Sequence, residues 1–325
     1  MTERLNSNLT VRTLARDLGL AAGPDPVSGI VKFCQARIRR ILAEMDCTQD
    51  ACGILSLTAA RLDTEFVDVN SEQEASALQQ QFVMTGETGL ALMRKEFAAG
   101  VLGITVLRLN KKRFERRYVS VINCCGRNAE RAYFTKWHEL VHLLTLTDQS
   151  RLSFRRTHVA VDMKDPEESL VDVVAGHLAF HPPLLKPYAR RPLSFELIEE
   201  IRAAVFPEAS RTAAMLGITK AWPKPVVLVK AALASKRNTT AKQLRATGVS
   251  VNQAAADEGV SAIRNFRVPE GSIIQDVFAD RATRAEGTEP MESWVSSDGS
   301  HWSGGEFVVR AIRLGDCIQA IFTRN

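Results

Sequence analysis

The chain has 325 residues, 45% hydrophobic and 24% charged, with a formal net charge of +5. That size supports a sizeable core and two domains with room for a small third, and the composition excludes disorder as the general state. The modest positive charge permits an acidic or nucleic-acid partner without demanding one, and no apolar run approaches the roughly 18 residues of a transmembrane helix.

Six cysteines (Cys34, Cys47, Cys52, Cys124, Cys125 and Cys317) form no C-x-x-C pair and no regular spacing. The opening "MTERLNSNLT" lacks the basic and apolar regions of a secretory signal. Both features fit free thiols in a reducing cytoplasm, with the adjacent Cys124 and Cys125 as small buried hydrophobes. The basic runs "KKRFERR" (111–117) and "RLSFRRTH" (151–158) read as solvated charge around a folded core.

Near the N-terminus, "LTVRTLARDLGL" (9–20) resembles the first part of a helix-turn-helix. No second helix rich in exposed Arg, Lys, Asn and Gln follows, so it reads as an ordinary amphipathic helix. In 28–45, Ile30, Phe33, Ile38, Ile41, Leu42 and Met45 share one helical face. Residues 53–70 begin as a helix and finish in the strand alternation of "EFVDV". A helix over 71–82 follows, with Ser71 and Glu74 in capping-box spacing. "GVLGITVLRL" (100–109) and "RRYVSVINC" (116–124) are two strands joined across a basic turn.

The apolar run "YFTKWHELVHLL" (133–144) is long enough for a helix. After Asp148 comes a polar, basic connection, then "DPEESLVDVVAGHLAF" (165–180), a helix with Asp165 as N-cap and Pro166 at its first position. "HPPLLKP" (181–187) ends it. "LSFELIEEIRAAVF" (193–206), "RTAAMLGI" and "KPVVLVKAALASK" are helical in character. Residues 238–261 are Ala- and Thr-rich and read as a linker with helical pieces; "AKQLRATGVSVNQAAADEGVS" (241–261) is a second, weak helix-turn-helix candidate. The remainder, with "EFVVRAIRL" (306–314) and "CIQAIF" (317–322), has short strands between Gly, Pro and Ser clusters. The expected organisation is α+β in four parts: an N-terminal helical region (1–50), helices around a small mixed or antiparallel sheet (51–190), a helical region and linker (191–260), and a small β-rich module (261–325).

The chemistry concentrates in "HELVH". Residues four apart lie on one face of a helix, so His138 and His142 can address one ion. Zinc accepts imidazole nitrogen, and catalytic zinc uses three protein ligands and a water. Glu139 stands at the edge of that face, where a carboxylate can take a proton from a water and pass it to a leaving amine. The apolar flanks bury this helix, and buried histidines need partners. A third ligand is available in "DPEESLVDVV", where Glu168 and Asp172 share a helical face. Glu168 can complete the ligand set while Asp172 hydrogen-bonds a ligand histidine and fixes its tautomer. Three alternatives stand beside this. Glu168 also has capping-box spacing to Asp165, Glu167 competes as the ligand, and Asp172 can itself coordinate.

"RAYFTKWHELVHLL" looks like the R-x-x-F-T-x-x-H-E-x-x-H-x-L segment of the ImmA/IrrE-type zinc metallopeptidases. "ESLVDVVAGHLAFHP" resembles that family's E-x-L-C-N-x-F-A-A-x-L-L-M-P helix. Val141 replaces the usual Gly before the second histidine, and "LAFHP" replaces L-L-M-P. The resemblance covers about residues 50–187. It implies a zincin-like core, one zinc ion on His138, His142 and Glu168 (rather than Glu167), and Asp172 in the family's Asn/Asp position. It also places "YVSVIN" as the edge strand above the cleft. For a transition-state donor, His158 is nominated over Tyr133, Arg155, Arg156 and His181; His177 and His181 fall on the far side of their helix.

The function these features imply is a cytoplasmic zinc endopeptidase with a protein substrate, which the family resemblance implies is a helix-turn-helix repressor. The competing class is a regulator without catalysis that binds DNA or a repressor. The intact Glu139 and the open fourth ligand position favour catalysis.

Overall fold

The computed structural model describes residues 2–21, 23–43, 50–109, 111–146, 153–157 (as backbone), 165–235, 240–279, 282–296 and 299–324. The chain divides into two compact units, residues 1–180 with 205–210, and residues 181–204 with 211–325. Both mix helices with a small sheet, so the architecture is α+β.

The first unit runs α1 (Thr2–Asn6), α2 (Leu9–Asp17), α3 (Pro26–Ala43), α4 (Ala51–Arg61), β1 (Thr64–Val69), α5 (Glu72–Met84), α6 (Met93–Ala98), β2 (Val101–Leu107), β3 (Tyr118–Asn123), α7 (Ala132–Leu144), β4 (Ser153–Thr157) and α8 (Pro166–Ala179). Its sheet has the order β1-β3-β2-β4, with β1 and β3 parallel and the other pairs antiparallel. Alternation along the strands gives the sheet two buried faces. Ile104 and Val106 of β2 and Val119 and Val121 of β3 pack with Phe82, Leu90 and Met93 from the α5–α6 side. The opposite face carries Gly103, Thr105 and Ser120 toward α7, while Tyr118 meets Leu143.

Two expectations change here. "YVSVIN" is an interior strand, since β1 pairs with it on one side and β2 on the other, and all six residues are buried. The edges belong to β1 and to β4, and β4 lies inside the stretch read as a plain connection. Five residues are too few for an alternation to register, so β4 owes its existence to the backbone ladder of β2.

α7 is buried almost all round, as an apolar helix in the middle of a unit must be: Tyr133, Thr135 and every residue from Trp137 to Leu144 are inaccessible. Its ends are tied down. The Tyr133 hydroxyl donates to the Ala179 carbonyl at the end of α8, and Arg37 Nη1 donates to the Leu144 carbonyl at 2.6 Å. Lys136 pairs with Asp68 of β1 at 2.9 Å and sits over Phe66. α8 starts as its sequence requires, with the Asp165 carboxylate accepting from the Glu167 N–H at 2.7 Å and Pro166 in the first turn.

The second unit contains α9 (Phe195–Val205, its last residue in the first unit), α10 (Arg211–Ala221), β5 (Val226–Ser235), β6 (Lys242–Val251), α11 (Gln253–Asp257), α12 (Ile273–Ala279), β7 (Arg284–Pro290), β8 (Glu306–Leu314) and β9 (Cys317–Thr323). The strands form an antiparallel sheet in the order β6-β5-β9-β8-β7. Its core includes Val227, Val229, Phe307 and Phe322 and a stacked pair, Trp294 and Trp302, with centroids 3.9 Å apart. The β-rich module therefore begins at Val226, well before residue 261. "KPVVLVKAALASK" is a strand because its Val-rich half is buried and both of its edges find partners, which overrides the helical propensity of its alanines. The 238–261 linker holds β6, which also removes the second helix-turn-helix candidate.

Candidate metal centre

The i, i+4 spacing on α7 brings the two imidazoles face to edge, with centroids 4.9 Å apart and their Nε2 atoms 3.2 Å apart. Glu168, in the first turn of α8, reaches both. Its Oε2 lies 3.1 Å from His138 Nε2 and its Oε1 3.1 Å from His142 Nε2. Among the described residues, His138, His142 and Glu168 form a group able to hold a metal ion, their ligand atoms all within 4.8 Å of one another. Glu168 therefore faces the histidines and does not close the N-terminus of α8, where Asp165 alone supplies the cap.

The surrounding carboxylates fix the rings. Asp172, one turn further along α8, lies 2.9 Å from His138 Nδ1. A carboxylate there is placed to accept from an Nδ1–H, which orients the ring with Nε2 toward Glu168. Glu167 lies beside the other ring, 3.8 Å from His142 Nδ1, on the side away from the Nε2 atoms. The geometry thus separates Glu168, which meets both Nε2 atoms, from Glu167 and Asp172, which meet the Nδ1 atoms.

This donor set fits a metal. Two ligands each about 2.1 Å from an ion at tetrahedral angles are about 3.4 Å apart, close to the 3.1–3.2 Å spacings seen here. The chemistry agrees with the spacing. Two imidazole lone pairs and a carboxylate at this distance, with both rings buried, repel one another unless protons or a cation lie among them. Burial pushes the Glu168 carboxyl up, but its hydrogen bonds with His138 and His142 outweigh that and bring it down to about 2.

Glu139 occupies a different environment from the three donors. It is fully buried, and its Oε2 accepts a hydrogen bond of 2.6 Å from the Thr105 hydroxyl on β2. Thr105 Oγ1 is 2.6 Å from Ser120 Oγ on β3, which is 3.4 Å from Thr64 Oγ1 on β1. A row of buried hydroxyls thus crosses three strands and ends on the carboxylate. A Cβ added at Gly103 would come within 2.5 Å of Glu139 Oε1 and 2.8 Å of Thr135 Cγ2, so only glycine leaves room. Sequence reasoning missed Gly103, Thr105, Ser120 and Thr64. The available signal was hydroxyl residues and a glycine at alternate positions inside otherwise apolar strands.

Of the nominated transition-state donors, Tyr133 is engaged by the Ala179 carbonyl, and burial pushes its pKa up. His158 and the side chains of Arg155 and Arg156 lie outside the described residues. His177 is exposed, and His181 is buried in the second unit. Among the described cysteines none is in a disulfide, and burial pushes the Cys34 thiol up to about 12 and those of Cys52 and Cys124 to about 11. Among the described residues, no helix is long and apolar enough to cross a membrane. Compared with protein-family models and with curated proteins, the chain matches none.

Proposed function

We propose that this chain is a zinc-dependent endopeptidase that cleaves a protein substrate. The observation that supports this best is the convergence of His138, His142 and Glu168 at ligand spacing, next in the chain to Glu139. Three protein donors among the described residues match catalytic zinc sites, whereas structural sites usually close with a fourth Cys or His. A zinc ion held there would polarise the scissile carbonyl and ease ionisation of a water. The chain's own residues do the rest. Glu139 takes a proton from the attacking water and passes it to the leaving amine. Asp172, placed to accept from His138 Nδ1–H, would hold the tautomer that leaves Nε2 free to bind the ion. The resemblance of the two helices to ImmA/IrrE-type metallopeptidases points to a zincin-like core and, by analogy alone, to a helix-turn-helix repressor as the substrate.

The direct test incubates the zinc-loaded chain with a helix-turn-helix repressor encoded beside its gene and reads the products by mass spectrometry. Discrete cleavage is expected, absent after chelation and absent in Glu139→Gln. Cleavage by Glu139→Gln at the wild-type rate contradicts the mechanism.

A second reading is favoured by one observation: Glu139 exposes no surface to solvent. In that reading the chain is a regulator that holds a metal and binds DNA or a repressor without cutting it. The repressor would then be recovered intact, and Glu139→Gln would behave as the wild type.

A further inference from the structure

The hydroxyl row behind Glu139 is an unusual thing to bury. Thr105 and Ser120 are completely inaccessible, and Thr64 nearly so, on a sheet face that would otherwise be filled with aliphatic side chains. Replacing such hydroxyls by methyl groups of similar shape is often neutral or stabilising, so packing alone does not call for them. Their directions are set by the carboxylate. Oε2 can only accept, so Thr105 donates to it; Thr105 then accepts from Ser120, and Ser120 from Thr64. All three O–H dipoles point toward Glu139, and each strengthens the next in this dry setting. On the other side, Gly103 leaves the space that Oε1 occupies, at a point where the pairing of β2 with β4 shifts register.

We propose that Thr105, backed by Ser120 and Thr64, is a positioning residue that seats the Glu139 carboxylate on β2, with Gly103 as the floor of the seat. This rests on the reading of Glu139 as the proton carrier. A carboxylate gripped at Oε2 has a fixed plane and rotamer before substrate arrives. A misplacement of the order of 1 Å in such a group can cost about 100-fold in rate. The seat lies on strands, the most rigid support available, and none of its members is a ligand-group residue.

The test compares Thr105→Val, Thr105→Ser and the wild type, each zinc-loaded, on dye-labelled casein, with zinc affinity measured by chelator competition. Thr105→Val keeps shape and removes the donor. It is expected to lower kcat roughly 10- to 100-fold with KM and zinc affinity unchanged, and Thr105→Ser restores most of the rate. A readout without turnover uses the cobalt-substituted chain. Its visible spectrum is expected to be the same in Thr105→Val as in the wild type, while acetohydroxamate, titrated against that spectrum, binds more weakly to the variant. Wild-type kcat in Thr105→Val overturns the proposal, as does a fall in kcat matched by an equal loss of zinc affinity, or a serine variant as poor as valine. A wild-type chain that binds zinc yet leaves casein and the neighbouring repressor intact overturns the peptidase reading itself, and the seat as a catalytic device with it.

Discussion

The interiors of the two units obey different rules. In the second unit the core is mainly apolar: Trp294 and Trp302 stack, Phe266 and Phe322 surround them, the buried Glu289 accepts from the Ile273 N–H, and the buried amide of Asn252 is bonded on both sides. Asn252 Oδ1 accepts from the Val226 and Ala255 N–H groups, and Nδ2 donates to the Trp222 and Lys224 carbonyls. The first unit instead buries two imidazoles and the Glu139 carboxylate along one helix, with Glu168 half-buried beside the imidazoles and three hydroxyls behind Glu139. Buried charge of this kind is weak support for a fold, and apolar side chains of similar size usually do as well or better. Asn252 explains itself as structure, because it caps α11 and ties down the start of β5. The polar cluster on α7 caps no helix in this way, and the proposed function gives it a reason.

The comparison breaks most sharply at His142. His142→Ala is expected to abolish stoichiometric zinc binding, weakening affinity by more than about 1,000-fold, read by chelator competition and metal analysis on the purified chain. Glu139→Gln is expected to keep the ion and lose about 100- to 10,000-fold in turnover, measured as initial rates on the protein substrate. Trp302→Ala serves as the converse case. It should cost about 3–5 kcal/mol in denaturant unfolding while zinc affinity stays at the wild-type value, since the tryptophan pair packs in the core cluster of the second unit.

Smaller effects sharpen the account. Asp172→Ala is expected to lower zinc affinity about 10- to 100-fold, because His138 loses the acceptor that sets its tautomer. The smallest effect concerns acid. The Glu168 carboxyl falls from its ordinary 4.5 to about 2 on folding, so in the metal-free chain it adds stability above pH 4.5. That increment is lost as pH drops from 4.5 toward about 2. Acid unfolding of the metal-free chain should therefore show this loss, and Glu168→Gln should flatten it. Zinc affinity falls with acidity as well, because protons compete for the same imidazole nitrogens.

How far the sequence could be read follows from the range of its signals. His138 with His142, and Glu168 with Asp172, were legible as shared helical faces because periodicity works within one turn, while the choice of Glu168 over Glu167 rested on the family resemblance. β5 was not, because alanines of high helical propensity follow its valines and only the partner strands β6 and β9 decide the outcome. β4 was too short and too basic to show an alternation. The Thr105–Ser120–Thr64 row was unreadable for a further reason. Its members are spread over 56 positions of sequence, 64 to 120, and meet only through the register of three strands. Gly103 looked like a weak strand residue, yet the strand keeps it to leave space for a carboxylate 36 positions away, at 139.

The most direct measurement is metal analysis of the purified chain together with an anomalous difference map collected across the zinc edge. The account predicts one ion per chain, within about 2.0–2.1 Å of His138 Nε2, His142 Nε2 and a Glu168 oxygen. No zinc after incubation with the metal, or a peak held by other residues, would contradict it.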